Sequence, residues 1–210
     1  MELGKYIIIE GGEGCGKSTQ AKLLHEYLTE LNIPCILSRE PGGVKESEEI
    51  RKILLNKESN LSPITELFLF EAARAEFFRK KLIPSLEKFI SVIADRSGYS
   101  TEAYQGYAGG IDLSLIKKLN NEATFGIKPD LAFIIDVHPT IGLKNEKDAD
   151  RFASKGLGYH TKVNQGYVEI AKNNPDVCIV IPYREEDIGG IQEEIRKITL
   201  ERLYKTKKIF

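Results

Sequence analysis

The chain has 210 residues, 31 acidic against 30 basic, a formal net charge of −1 and a 41% hydrophobic content. Such a length suits one domain spanning residues 1–210 with a substantial core, and nearly cancelled charge gives no strong field toward nucleic acid or membrane. No apolar run approaches the roughly 20 residues of a membrane span, the short acidic N-terminus does not read as a signal peptide, and three scattered cysteines without a CxxC pair (Cys15, Cys35, Cys178) suggest free thiols in a reducing cytoplasm.

Tyr6-Ile7-Ile8-Ile9 reads as a short buried parallel strand. It runs into Glu10-Gly11-Gly12-Glu13-Gly14-Cys15-Gly16-Lys17-Ser18-Thr19, which satisfies G-x-x-x-x-G-K-[ST] at Gly11, Gly16, Lys17 and Ser18. Glycines let backbone N–H groups turn inward onto phosphate oxygens. Lys17 reaches the β- and γ-phosphates, and the Ser18 hydroxyl can ligate Mg²⁺. Leu23, Leu24, Tyr27, Leu28 and Leu31 then recur at helical spacing, so the loop sits between strand and helix, as phosphate binding requires. Cys15 is a small loop filler or a thiol open to alkylation.

Pro34–Ser38 reads as a second strand ending at Arg39-Glu40-Pro41-Gly42-Gly43, where Pro-Gly-Gly stops regular structure. A helix is expected from Ser47 to about Leu55, a polar loop to Ser62, and a long helix from Pro63 to about Phe78. Pro84-Ser85-Leu86 opens a short helical stretch. Phe89–Ala94 reads as a buried strand delivering Asp95 and Arg96 at its carboxyl end, where open parallel sheets bind ligands; Asp95 falls where a metal-holding acid is needed. Leu113–Asn120 is a weak helix and Leu131–Val137 the most strand-like run. Ile141–Gly158 is charged, glycine-containing and poor in apolar residues, and is read as a short mobile lid. Tyr159–Lys172 resumes helical periodicity, Val177–Ile181 is a last strand, Ile188–Leu203 a last helix, and Lys205–Lys208 a solvated basic tail. Five apolar strands separated by helices give an α/β fold with a five-stranded parallel sheet.

Among P-loop proteins a GTPase reading is weak, because the nearest match to N-K-x-D, Asn56–Ser59, lacks the Asp. Other stretches resemble one kinase family. Arg39–Gly43 looks like the REPGG signature of thymidylate kinases, and Glu66–Ala75 is similar to their ELLLFAADRA helix. Asp95-Arg96 with Ser100–Gly106 resembles DR…S-[ST]-x-A-Y-Q-G. Pro129–Leu131 with Asp136–Pro139 matches PDL…DVxP, Asp150-Arg151-Phe152 matches DR-[FI], and His160–Tyr167 is close to H-x-K-V-R-x-G-Y. The matches run in order over most of the chain.

The resemblance implies a P-loop NTPase fold, transfer of the γ-phosphoryl of ATP to dTMP, and a homodimer. It implies that ATP is bound by Gly11, Gly12, Glu13, Gly14, Cys15, Gly16, Lys17, Ser18, Thr19 and Arg151. Phe70 would stack on thymine, Arg74 would bond its O4, Thr101 and Gln105 would address the base edge, and Tyr104 would sit against C2′ of the sugar. Arg39 and Arg96 would hold the acceptor phosphate, Glu13 would approach the 3′-hydroxyl, and Ser18 and Asp95 would hold Mg²⁺. Some relatives place an Arg in the P-loop where this chain has Gly14. Those with an uncharged loop draw a cation from the lid, which here offers Lys144, Lys147 and Arg151, so Lys17, Arg96, Arg151 and Lys147 form the catalytic set.

Spacing alone leaves Phe70 equally readable as helix-face core, and Arg74, at i+4 from it, as a surface partner of Glu71 or Glu66. His25, His138 and His160 have no metal spacing. Departures from the family pattern fall at Ser97, Tyr99 and Gly109, and the lid is a few residues short before Asp150. They keep open an altered acceptor, dUMP or a modified pyrimidine deoxynucleotide; a nucleotide-binding switch without turnover is the other alternative.

Overall fold

The computed structural model describes residues 3–146 and 151–204. Strand β1 (Tyr6–Gly11) is buried along its whole length, which is why its sequence is a continuous apolar run rather than an alternation. It is the middle of five parallel strands in the order β2 (Cys35–Arg39), β3 (Ser91–Asp95), β1, β4 (Leu131–Asp136), β5 (Cys178–Pro182). The helices are α1 (Lys17–Glu30), α2 (Lys45–Leu55), α3 (Pro63–Phe77), α4 (Ile83–Glu87), α5 (Gly98–Thr101), α6 (Leu113–Ala123), α7 (Pro139–Asn145), α8 (Leu157–Asn173) and α9 (Ile188–Leu203).

Because strand side chains alternate between faces, β1 feeds two cores. Ile7 and Ile9 pack with Leu24 and Leu28 of α1 and with Ile191 and Ile195 of α9. Tyr6 and Ile8 share the other face with Phe77, Phe78, Val163 and Ile170. The register sets Ile9 beside Asp95, and Asp95 beside Arg39. The P-loop, the turn after β2 and Arg96 therefore meet at one carboxyl-end crevice.

Each of the five expected strands is present with shifted ends, and the last helix has the expected bounds, Ile188–Leu203. The third strand starts at Ser91, not Phe89. Phe89 instead turns the chain at φ 61° and is exposed, so its apolarity misled the periodicity reading. Helix α2 begins two residues earlier than expected, and α6 continues three residues further, to Ala123. The long helix α3 ends at Phe77, within a residue of the expected end, and a π-helical turn, Phe78–Leu82, joins it to α4, the expected short stretch around Pro84. Pro84 has no N–H to return to the preceding turn, which widens the ladder there.

Residues 98–108 were assigned no element, yet they form α5 and a π-helical stretch, Glu102–Ala108; its glycines, Gly98 and Gly106, dilute the helical pattern. Within the expected lid span, α7 covers Pro139–Asn145 with Gly142 buried, Ala153–Lys155 is a 3₁₀ turn, and Phe152 and Ala153 are buried. Lys147 and Asp150 fall outside the described residues, as does the basic tail Lys205–Lys208. Among the described residues no helix is long and apolar enough to cross a membrane.

Candidate functional site

The loop after β1 takes the backbone its glycines permit. Gly14 has φ 61° and Gly16 φ 86°. Gly14 is also pressed against α7: a Cβ there would lie 1.9 Å from the Gly142 carbonyl oxygen, so no side chain, charged or otherwise, fits at that position without moving α7. Lys17, the first residue of α1, is buried and donates from Nζ to the Gly12 carbonyl at 3.1 Å. Ser18 and Thr19 follow on the exposed first turn. Cys15 is buried, and that burial pushes its thiol up more than Lys17 pulls it down; it is a filler rather than a nucleophile.

Ser18 donates to Oδ2 of Asp95, while Oδ1 of Asp95 is buried without a partner among the described residues. An orphaned carboxylate oxygen costs free energy. One hydroxyl beside one carboxylate, with an oxygen to spare, is the sparse all-oxygen donor set that suits Mg²⁺, which keeps most of its waters and phosphate ligands.

Beside the loop lies a pocket lined by Glu13, Phe70, Arg74, Arg96, Thr101, Tyr104 and Gln105, all expected from the sequence. Arg74 is fully buried. Its Nε donates to Glu40 at 2.8 Å, Nη1 to Glu71 at 2.6 Å and to Asn120 at 2.7 Å, and Nη2 to Thr101 at 3.0 Å. A guanidinium has five N–H donors, so these four bonds leave one Nη2 hydrogen without a partner among them, on a residue that lines the pocket. Burial works against its charge, but Glu71 and then Glu40 more than compensate and raise its pKa. The expected Glu71 partner is therefore present, though as a buried pair. Phe70 lines the pocket and packs on Phe152 with ring centroids 5.7 Å apart.

Arg96 leaves β3 with φ 71°, a left-handed conformation that costs a non-glycine residue about 1–3 kcal/mol. It aims the guanidinium at Glu13 (Nη2 to Oε2, 2.8 Å) and over the Tyr104 ring at 5.1 Å. The Glu13 carboxylate also accepts from the Tyr104 hydroxyl at 2.7 Å and lies 3.7 Å from Lys17 Nζ. Burial alone would raise the Glu13 pKa, but Arg96, then Lys17, then Tyr104 bring it down to about 2. Glu13 thus joins the cation of the P-loop to the cation of the pocket.

Other expected residues lie elsewhere. Arg39 does not line the pocket; it is exposed, paired with Glu48 at 3.0 Å, and borders a neighbouring cleft with Ser18 and Asp95. Arg51 of α2, unassigned from the sequence, lines both cavities and donates to the Pro41 carbonyl at 2.8 Å. Its one sequence signal is the i,i+3 spacing from Glu48, indistinguishable from a solvated helix face. Arg151 is turned away from the role given to it: Nε and Nη2 donate to the Leu54 carbonyl at 3.1 and 3.0 Å, and Nη1 to Glu66. The described surroundings hold it by α2 and α3, so approach to a phosphate requires release from Glu66. Phe152 is a further pocket residue that the sequence left unassigned.

Of the departures, Ser97 is tied to Tyr6 at 2.7 Å and to Glu40 at 3.1 Å, forming part of the frame behind Arg74. Tyr99 lines a separate cavity behind the site. A Cβ on Gly109 would come 2.6 Å from the Gln105 carbonyl oxygen, so a larger residue there needs a shifted backbone.

Comparison with known proteins agrees with this geometry. The family model described as thymidylate kinase matches residues 9–195. A thymidylate kinase of Carboxydothermus hydrogenoformans is 44% identical over 173 residues, 81% of this chain and 85% of that one. One from Thermoanaerobacter sp. (strain X514) is 39% identical over 185 residues, 87% and 91% of the two chains. The crystal structure of thymidylate kinase from Ehrlichia chaffeensis superposes with a TM-score of 0.77 at 37% identity, covering 93% of this chain and 98% of that one. With a P-loop, a parallel sheet and a buried arginine in the adjoining pocket already in place, these matches establish that the chain belongs to the thymidylate kinase family.

Proposed function

We propose that the chain transfers the γ-phosphoryl of ATP to dTMP, giving dTDP and ADP. The observation that carries this reading is the shared carboxylate of Glu13, bonded to Arg96 at 2.8 Å and 3.7 Å from Lys17, because it makes donor and acceptor sites contiguous. Phosphate oxygens between the same two cations would be held in line for transfer, and charge spread over the transferring group would be neutralised there. The acceptor is a phosphate oxygen, so no strong general base is needed. The N-terminus of α1 adds its dipole to the donor phosphates.

On the acceptor side Phe70 stacks on the base, the remaining Nη2 hydrogen of Arg74 donates to O4, Thr101 and Gln105 meet the base edge, and Tyr104 packs against the sugar. Arg96, with Arg39 or Arg51, holds the acceptor phosphate, and Glu13 lies toward the 3′-hydroxyl. Arg151, once free of Glu66, brings its charge to the phosphates with Lys147. Ser18 and Asp95 are the residues that would hold Mg²⁺, which when bound neutralises the β- and γ-phosphate oxygens. Residues Ile64 and Phe68, one turn apart on α3, and Ile53 of α2 are exposed; they support a homodimer across α2 and α3.

ADP release measured with a panel of nucleoside monophosphates tests the reading. Thymidylate should raise turnover far above the rate with ATP alone. A purine monophosphate as best acceptor, or no acceptor above ATP alone, would overturn it.

A further inference from the structure

The pocket has a cavity of about 60 Å³ as it stands, and the Phe70 and Phe152 rings are in contact across it. One wall therefore has to give before a nucleotide base can enter. Most walls are fixed. Phe70 is mid-helix in α3, Arg74 is held by four hydrogen bonds, and Tyr104 is pinned by Glu13.

Phe152 differs. It belongs to no strand or α-helix, and its side chain closes the pocket opposite Phe70, with centroids 5.7 Å apart and planes 52° apart. Tyr104 meets the same ring edge-on at 6.3 Å. Two cations sit on its other surroundings: the Arg151 guanidinium at 4.7 Å and the Lys155 ammonium at 4.8 Å from the ring centroid. Both are paired with the buried carboxylate of Glu66. The backbone is anchored as well, since the Phe152 carbonyl is 3.1 Å from Nε2 of His160. The freedom left to Phe152 is rotation of its ring about the side-chain torsions, against the packing of Phe70, Tyr104, Arg151 and Lys155.

We propose that Phe152 is a base-binding residue: the pyrimidine inserts between Phe70 and Phe152, which become the two faces of one stack. This rests on the functional reading above and extends it to a residue that reading does not use. A planar base between two rings needs them about 7 Å apart, two carbon–carbon contact distances. From 5.7 Å at 52° the Phe152 ring has to retreat by little more than about 1 Å and rotate toward parallel.

The chain contains no tryptophan, so Phe152→Trp places a single indole at this wall. Its emission should be quenched by dTMP with a half-point near the KM for dTMP, and should not respond to 2-deoxyribose 5-phosphate, which carries the phosphate without a base. Phe152→Leu should raise the KM for dTMP about tenfold, as expected for loss of one aromatic stack, while the KM for ATP stays within twofold. If the parent protein phosphorylates dTMP but the indole ignores it, or a folded Phe152→Leu keeps the parental KM for dTMP, Phe152 is only a core residue and the proposal is wrong. If the parent does not phosphorylate dTMP at all, the functional reading fails first and takes this one with it.

Discussion

The i+4 spacing of Arg74 from Phe70 allowed a shared pocket or a surface ion pair, the family resemblance favoured the pocket, and the network around Arg74 was not legible. Glu40 and Asn120, which take two of its bonds, lie 34 and 46 residues away in the chain, and no local pattern joins them. The network also decides which experiments are informative. Replacing Arg74 by Ala strands buried Glu40 and Glu71 without their cation, a loss of about 3–5 kcal/mol, so that variant reads stability before it reads base choice. Glu13 offers a cleaner test. Its folded pKa, about 2, is depressed from the ordinary carboxylate value of 4.5 by Arg96, Lys17 and Tyr104. Its contribution is therefore complete above about pH 4.5 and is lost as pH falls through 2. At neutral pH that shift is worth about 3 kcal/mol. Glu13→Gln should be less stable than the parent in urea unfolding at pH 6, and the gap should narrow by roughly 1.4 kcal/mol per pH unit below 4.5. A gap that stays constant from pH 6 to pH 3 would show that Arg96 and Lys17 do not hold the carboxylate.

At the scale of elements, buried parallel strands announce themselves because both faces are covered and the run is unbroken, as in Ile7–Ile9 and Leu131–Ile135. The segment carrying Thr101, Tyr104 and Gln105 did not, since π-helical geometry has no 3.6-residue period to detect and its glycines serve packing: a Cβ on Gly106 would meet Leu113 at 2.5 Å. Helix α7 was read as part of a loosely packed lid for a related reason. Its Gly142 looks like a flexible residue in sequence, yet a Cβ there would lie 2.2 Å from the Glu13 carbonyl oxygen. The two backbones are in contact, so α7 braces the P-loop. Gly142→Ala should therefore cost about 1–3 kcal/mol through overpacking, lowering Tm by several degrees, and should raise the KM for ATP. Gly158→Ala in α8, where nothing lies within 4 Å of the added methyl, should be neutral or slightly stabilising. Equal Tm and KM values for the two variants would remove α7 as a brace.

For the whole molecule, the sequence implied a parallel sheet but not the order β2-β3-β1-β4-β5. That order comes from which faces the helices cover, a property of the assembled chain. The same limit applied to the exposed faces. Phe68 on α3 is 56% exposed and Ile53 on α2 is 48% exposed, whereas periodicity alone could not tell them from core. If α2 and α3 form the homodimer surface, light scattering at micromolar concentration should give twice the 23.6 kDa chain mass, and Phe68→Asp should shift the protein toward monomer. A parent that is monomeric across that range contradicts the assignment. Recognition of a pyrimidine O4 by a buried arginine with one hydrogen to spare is tested in the parent protein by kcat/KM for dTMP against dCMP. An amino group at that position faces a donor and leaves the guanidinium N–H unpaired, at about 1–3 kcal/mol or more for a charged group. The predicted result is a preference for dTMP of at least about tenfold and up to a few hundredfold, and equal kcat/KM for the two nucleotides would contradict it.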